Sequence, residues 1–253
     1  MRILNFPSLV FVLSFVALWL SMRAGGFVRK VRGALEQEER EDYDIVLTAT
    51  LTLLGLIIGF TFSMATSRYD SRKHYEQEEA NAIGTEYLRA DLLPGDNAAR
   101  VRDLLRKYLA LRVLFYTTHN RQQIGQIDTA TEQLQAEMWS AVQAVAAAER
   151  TPTAALAASG MNEVLDSQGR TQAAWWNRIP VSAWILMAVI AISCNLLIGY
   201  GARGTRAGLL LVLPLLVSIS FFLIADIDSP RWGMIRVRPQ NLLSLSHSLN
   251  VRD

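Results

Sequence analysis

The sequence predicts an all-α integral membrane protein with four transmembrane helices per chain and an extramembrane helical bundle. Two observations lead there. First, four stretches carry no Asp, Glu, Lys, Arg or His, namely Ile3–Met22, Ile45–Ser67, Ile179–Ala202 and Ala207–Ala225, each 19 to 24 residues long. About 20 apolar residues rising ~1.5 Å each cross a hydrocarbon core of ~30 Å. Second, the long segment between the second and third stretches, Arg68–Arg178, mixes acids and bases and repeats its apolar residues at helical spacing. The bulk numbers agree: 51% of the 253 residues are apolar and 19% are charged, against roughly 25% charged in an average soluble domain. A wholly soluble protein is excluded.

Taken in order, the first stretch reads as a retained helix rather than a cleaved leader. Its apolar run exceeds the usual leader core, no A-x-A site follows, and a second span comes soon after. The connector Arg23–Asp44 is basic first (Arg23, Arg29, Lys30, Arg32) and acidic afterwards (Glu36 to Asp44). Segregated charge of this kind suits a short amphipathic helix at the interface, and equally a solvated connector.

Within Arg68–Arg178, Pro is confined to Pro94 and Pro152, and Leu104, Leu105, Tyr108, Leu109, Leu111, Arg112, Leu114 and Phe115 recur at three and four. Breaks at Leu93–Asp96, His119–Gln126 and Arg150–Pro152 divide it into expected helices Tyr69–Leu93, Asn97–Thr118, Asp128–Glu149 and Thr153–Asp166. Thr151 is placed to cap the last of these, with Pro152 at its first position. The third and fourth spans, joined by Arg203–Arg206, read as a tight hairpin in which Pro214 bends the fourth. The resulting organisation is 1–67 (two spans), 68–178 (helical domain), 179–225 (hairpin) and 226–253, a basic tail without a long apolar face.

Chemistry is sparse. One cysteine, Cys194, excludes a disulfide framework within the chain. A net charge of +2 gives no case for nucleic acid. His74, His119 and His247 lie in no HExxH setting, and His74 with Glu78 reads as a helix-surface pair rather than half a metal site. Gly84, Gly199, Gly201 and Gly204 are assigned to loops or helix ends. No enzyme, metal site or cofactor is expected.

The second span is the informative one. Thr48, Thr52, Gly55, Gly59, Ser63 and Thr66 share one narrow stripe containing a literal GxxxG. Small residues there suit close helix packing, with Gly55, Gly59 and Ser63 at the contact. Beside it, Thr52, Leu56 and Phe60 repeat every four residues as a bulkier ridge suited to a hydrophobic pore constriction. Both readings stand, because the two faces adjoin. From Ser63 to Glu76 no Gly or Pro intervenes, so one helix is expected to continue past the membrane.

These residues resemble a known family. Gly59-Phe60, followed by Ser67-Arg68-Tyr69-Asp70-Ser71-Arg72, is similar to the bestrophin pattern at the exit of the second transmembrane helix. Ile224-Ala225-Asp226-Ile227-Asp228-Ser229-Pro230-Arg231-Trp232-Gly233 is similar to the acidic segment after the last bestrophin helix. Glu78–Thr85 and Tyr87–Pro94 resemble the bestrophin-like bacterial membrane proteins of unknown function. The resemblance implies a bestrophin-like fold and an oligomeric, pentameric ion channel with both termini and the 68–178 domain in the cytoplasm. It also implies a neck at Thr52, Leu56 and Phe60, and an inner mouth at Arg68, Asp70 and Arg72.

Three departures stand out. Lys73-His74 replaces a paired Trp, Thr52 is polar where a bulky apolar residue is the pattern, and Arg231, Trp232, Arg236 and Arg238 stand where a calcium clasp has carboxylates.

The expected partners are therefore the lipid bilayer, further copies of the chain and small inorganic ions, in a bacterial inner membrane. Orientation rests on the resemblance, because basic residues near the two faces number nine against seven. The alternative is a non-conducting membrane scaffold whose helical domain binds a protein partner. A transporter ranks last, because no span holds an ionisable residue.

Overall fold

A computed structural model describes residues 3–33, 35–202 and 207–250. Nine α-helices account for most of them, no strand occurs among the described residues, and four of the helices are long and apolar enough to cross a membrane. The chain divides into two compact units. One holds the described residues up to Tyr69 together with Arg178–Arg236, and the other holds Asp70–Asn177 and the described residues from Val237.

The first unit begins with α1 (Pro7–Arg32). Pro7 sits in its first turn, where the missing N–H costs nothing, and Arg29, Lys30 and Arg32 occupy its last turn. The helix ends at Gly33, whose φ of +93° admits glycine readily and whose N–H reaches the Arg29 carbonyl at 2.9 Å. The amphipathic helix expected over Arg23–Asp44 is thus divided. Its basic half prolongs α1, and its acidic half opens α2 (Gln37–Arg89), where Glu38 and Glu39 complement the positive helix start. The Glu39 carboxylate also accepts from the Glu36 N–H at 3.1 Å. Helix α2 is unbroken over 53 residues, as the stretch from Ser63 to Glu76 leads one to expect, and contributes residues to both units.

The remaining helices of this unit are α6 (Val181–Gly201), α7 (Ala207–Leu210) and α8 (Val212–Asp228). The expected hairpin connector, 203–206, lies outside the described residues. Helices α6 and α8 touch each other little, because α1 packs along both of them.

Glycine makes that arrangement possible. A methyl at Gly25 would strike the Leu196 carbonyl oxygen, and one at Gly199 would strike the Met22 carbonyl oxygen, so α1 and α6 meet backbone to backbone. Ser21 Oγ adds a bond to the Ile192 carbonyl at 2.7 Å. Gly199, expected at a helix end, is instead a packing residue inside α6, and Gly84 likewise lies inside α2 against Leu245. Gly201 does end its helix, and Gly204 lies outside the described residues.

Pro214 acts one turn earlier than a simple bend suggests. Its ring opposes the carbonyl of Leu210, four residues back, and the helix is interrupted at Leu211 between α7 and α8. Apolar packing completes the unit, with Leu18, Met187, Ala191, Cys194 and Ile224 at its centre and Trp184 edge-on to Phe221 at 6.1 Å.

The second unit packs the later turns of α2 with α3 (Asn97–Thr117), α4 (Arg121–Ala148), α5 (Pro152–Trp176) and α9 (Gln240–Asn250). The expected stripe on α3 is buried at Leu104, Leu105, Tyr108, Leu109, Arg112 and Phe115, whereas Leu111 is half-buried and Leu114 turns outward and is exposed. Helix α4 starts seven residues before the expected Asp128, because the Asn120 side chain caps it by accepting from the Gln122 N–H at 2.9 Å. Helix α5 starts as expected, with Thr151 Oγ1 accepting from the Ala154 N–H at 3.2 Å, but runs ten residues past Asp166. Its buried face, Ala157, Met161, Val164, Ser167, Thr171 and Trp175, keeps helical spacing to the end.

The tail, expected to lack a long apolar face, holds the short helix α9 of 11 residues. Leu242 and Leu249 are buried in it, and Glu76 holds its start by accepting from the Asn241 and Leu242 N–H groups at 2.9 and 3.0 Å.

The close approach of α1 and α6 carries a test. Gly199→Val is expected to lower stability by about 1–3 kcal/mol or more, since backbone rather than a side-chain tip must yield. Gly26→Ala, whose new methyl meets only the Gly199 carbonyl oxygen at 3.7 Å, should be close to neutral. Thermal unfolding of the two variants in one detergent checks the contrast.

Candidate functional site

The membrane segment of α2 has two sides of opposite character. Leu54, Thr61 and Ala65 lie seven and four residues apart and are buried against the first unit, with Leu51, Ile57 and Ile58 partly buried beside them. The other side is open. Leu56 is 51% and Phe60 61% exposed, and Thr52, Gly55, Gly59 and Ser63 are exposed as well. A methyl added at Gly55 or Gly59 would meet nothing within 4 Å. Only 11% of the most apolar window of this helix is buried, against 28% to 33% for the other three spans.

Among the described residues, no helix packs against Gly55 and Gly59 of the small-residue stripe. Among the membrane helices, Gly25 and Gly199 do serve close helix contact, which pattern-reading of the second span could not reveal. Their signal was a glycine on each of two charge-poor helices, and it becomes specific only once the pairing is known.

The hydroxyls on this helix are turned inward to its own backbone. Thr52 Oγ1 donates to the Thr48 carbonyl at 2.8 Å, Thr61 Oγ1 to Ile57 at 2.8 Å, and Thr66 Oγ1 to Phe62 at 3.1 Å. With its only proton committed, each offers oxygen lone pairs and a methyl. The open ridge is thus weakly polar at Thr52 and wholly apolar at Leu56 and Phe60.

The residues expected at the inner mouth have different surroundings. Arg68 is partly buried and its Nη2 lies 3.5 Å from Met64 Sδ on the same helix. Asp70 is exposed. Arg72 is only 2% exposed and belongs to the interior of the second unit. His74 Nε2 and Glu78 Oε1 pair at 3.1 Å on the surface of α2, and no group of three metal-ligating side chains occurs among the described residues.

Two acidic groupings carry more structure than sequence reasoning assigned them. At the end of α8, Asp226 accepts from the N–H groups of Met234 and Ile235 at 2.7 and 2.8 Å, folding the chain back tightly enough that a methyl at Gly233 would strike the Asp226 carbonyl oxygen. Asp228 takes the Ile179 N–H at 3.2 Å and the Arg178 Nε at 2.9 Å, and Arg178 Nη1 reaches Asn5 Oδ1 at 2.6 Å. These carboxylates tie together the ends of three segments.

In the second unit, Glu79 and Arg112 pair where both are fully buried, and Thr171 Oγ1 adds a bond to Glu79 at 3.1 Å. The remaining buried carboxylate there, Glu86, has no hydrogen-bond partner on either oxygen among the described residues. Burial pushes it from 4.5 up to about 8, with partial relief from Arg89.

Residues 12–242 match the family model of the bestrophin-like domain. The chain belongs to the bestrophin-like family. Solved structures share the bestrophin-like fold at low identity. A point-mutated bacterial bestrophin homologue from Klebsiella pneumoniae is 12% identical with a TM-score of 0.66, over 96% of this chain and 97% of that one. A second mutated form from Klebsiella pneumoniae, also 12% identical, has a TM-score of 0.65 over 98% and 99%. A structure described as a membrane protein is 13% identical, with a TM-score of 0.62 over 95% and 98%. No curated protein matches the chain.

Glu86 makes stability pH-dependent with a definite sign. Between pH 4.5 and about 8 the unfolded chain has released a proton that the folded chain retains, so stability falls as pH rises through that window. Glu86→Gln should flatten the dependence and raise the melting temperature at pH 8 far more than at pH 5. Equal effects at the two pH values would exclude burial of the charge as the cause.

Proposed function

We infer that the chain is one subunit of an oligomeric, bestrophin-like ion channel whose conduction axis is lined by α2. The observation that carries this reading is the uncovered side of that helix. Lipid accounts for exposed Leu and Phe, but it gives no use to a stripe of Gly55, Gly59 and Ser63 that meets nothing in its own chain. A second copy does, since small residues allow close approach of a neighbouring helix.

Around a symmetry axis the adjoining ridge then faces inward. Thr52 forms a polar entrance, while Leu56 and Phe60 form a constriction that impedes ions because it offers no ligand to replace their water. Five copies is the assembly the bestrophin resemblance implies. The same resemblance supports an inner-membrane location with both termini and the 68–178 domain in the cytoplasm. Arg68 and Asp70, following the ridge on α2, are then the charged groups at the inner mouth, and the buried Arg72 acts by holding its helix in place.

Leu56→Ala and Phe60→Ala, singly and together, should raise unitary conductance several-fold in planar bilayers, with the double variant highest. Single-particle images of the same preparation should show rotational symmetry around a central channel lined by α2. Absence of current from every variant, or a dimer with α2 buried between two helices, would sink the channel reading and leave the scaffold.

A further inference from the structure

A cleft of about 690 Å³ opens at the end of the first unit where α1 and α6 finish and α7 begins. That lies within the ~300–1,000 Å³ usual for small-ligand sites. Its α1 wall is a single helical stripe, because Trp19, Met22, Arg23, Gly26, Phe27 and Lys30 succeed one another at three and four.

The stripe changes character along its length. Trp19 and Met22 on the lower turns, joined by Leu210 and Leu211 from the other wall, make an apolar floor. Arg23, Arg29 and Lys30 make a cationic rim above it. Arg23 stands 5.7 Å from the centre of the Trp19 ring, within the range of a cation–π contact. No described lining residue is acidic, and no ion pair is formed by Arg23, Arg29 or Lys30 among the described residues. The carbonyl ends of α1 and α6 carry partial negative charge, so among the described lining residues attraction for an anion comes from these three side chains.

Cations above an apolar cleft at the end of membrane-spanning helices match one chemistry: a phosphate headgroup with the first carbons of its acyl chains. We propose that this cleft binds an anionic phospholipid. Its phosphate sits among Arg23, Arg29 and Lys30, and its chains descend along Trp19 and Leu211. The site lies at the end of α1 remote from the chain start, and needs only one subunit.

The test uses the full-length protein in a neutral detergent, with its melting temperature followed as lipid is added. Phosphatidylglycerol should raise the melting temperature in a saturable way, and phosphatidylcholine or inorganic phosphate at equal concentration should not. Each basic side chain near a lipid surface contributes about fivefold in affinity, so Arg29→Gln with Lys30→Gln should weaken the response roughly 25-fold. Gly26→Leu projects into the cleft and meets only ordinary contact at its first carbon, so it should abolish the response while leaving lipid-free melting near that of the parent. Equal stabilisation by phosphatidylcholine, full stabilisation by phosphate alone, or an unchanged phosphatidylglycerol response in both variants would each overturn the proposal.

Discussion

The architecture of the membrane unit depends on how closely α1 approaches α6. In lipid no water shields a backbone, and apolar side chains gain little by turning from hydrocarbon toward one another, so helices associate where their surfaces fit. Gly25 and Gly199 remove the side chains that would keep the two backbones apart, and the Ser21 hydroxyl bonds directly to the Ile192 carbonyl. Helix α1 then lies against both α6 and α8, and these three form a packed group by themselves. Helix α2 joins that group through one face, with Leu54, Thr61 and Ala65 buried, Leu51, Ile57 and Ile58 partly buried beside them, and the Tyr43 hydroxyl bonded to the Leu197 carbonyl. Had α6 and α8 formed the hairpin their sequence separation suggests, α1 would have been displaced and α2 would have had to cover more of the group.

A second requirement is met at the ends of the helices, where chain direction changes and amides lose their helical partners. Asp226 and Asp228 meet it with carboxylates rather than water, accepting from Met234, Ile235 and Ile179, and Arg178 balances the charge of Asp228 while reaching Asn5. Charge-assisted bonds of this kind are roughly twice as strong as neutral ones. Glu76 serves in the same way at the start of α9 in the other unit. In each case one acidic side chain fixes a turn that has little apolar surface of its own, which explains how a short basic tail acquires a defined path.

What could be read in the sequence follows the strength of each signal. The charge-free stretches reveal the spans because burial in hydrocarbon tolerates no exception over 20 residues. The α3 stripe was legible because its leucines repeat over three turns. Helix ends were less so, since Asn120 and Gly125 fall in a stretch that reads as a break, yet a capped helix absorbs the ~1 kcal/mol cost of an internal glycine. Helix α9 rests on Leu242, Leu245 and Leu249, too few to stand out. Buried charge was legible only at Arg112, which falls within the apolar stripe of α3; nothing in a helical pattern separates Glu79 and Glu86 from the solvent-facing acids around them, and only the fold places them inside. At the candidate site the stripe and ridge of α2 were legible as a pattern, but whether they met a neighbour depended on the path of α1.

The chemistry of α2 also limits what a pore along it can do. None of the four charge-free stretches holds an Asp, Glu, Lys, Arg or His side chain, so along the proposed pore none of these groups exchanges a proton or counter-ion at mid-membrane to drive transport. Movement through such a pore is downhill. The ridge cannot choose between cation and anion by direct coordination either, because Leu56 and Phe60 have no polar atoms and the Thr52 proton is committed to the Thr48 carbonyl. Its free lone pairs slightly favour a cation at that one level. Any strong preference must therefore arise outside the constriction, where fixed charges act on an ion that still keeps its water. Along α2 those charges are the acids of its first turns, Glu38 to Asp44, and Arg68 with Asp70 beyond the ridge. In the proposed channel, a narrow apolar neck between two charged ends would set how fast ions pass, and the ends would set which ions arrive.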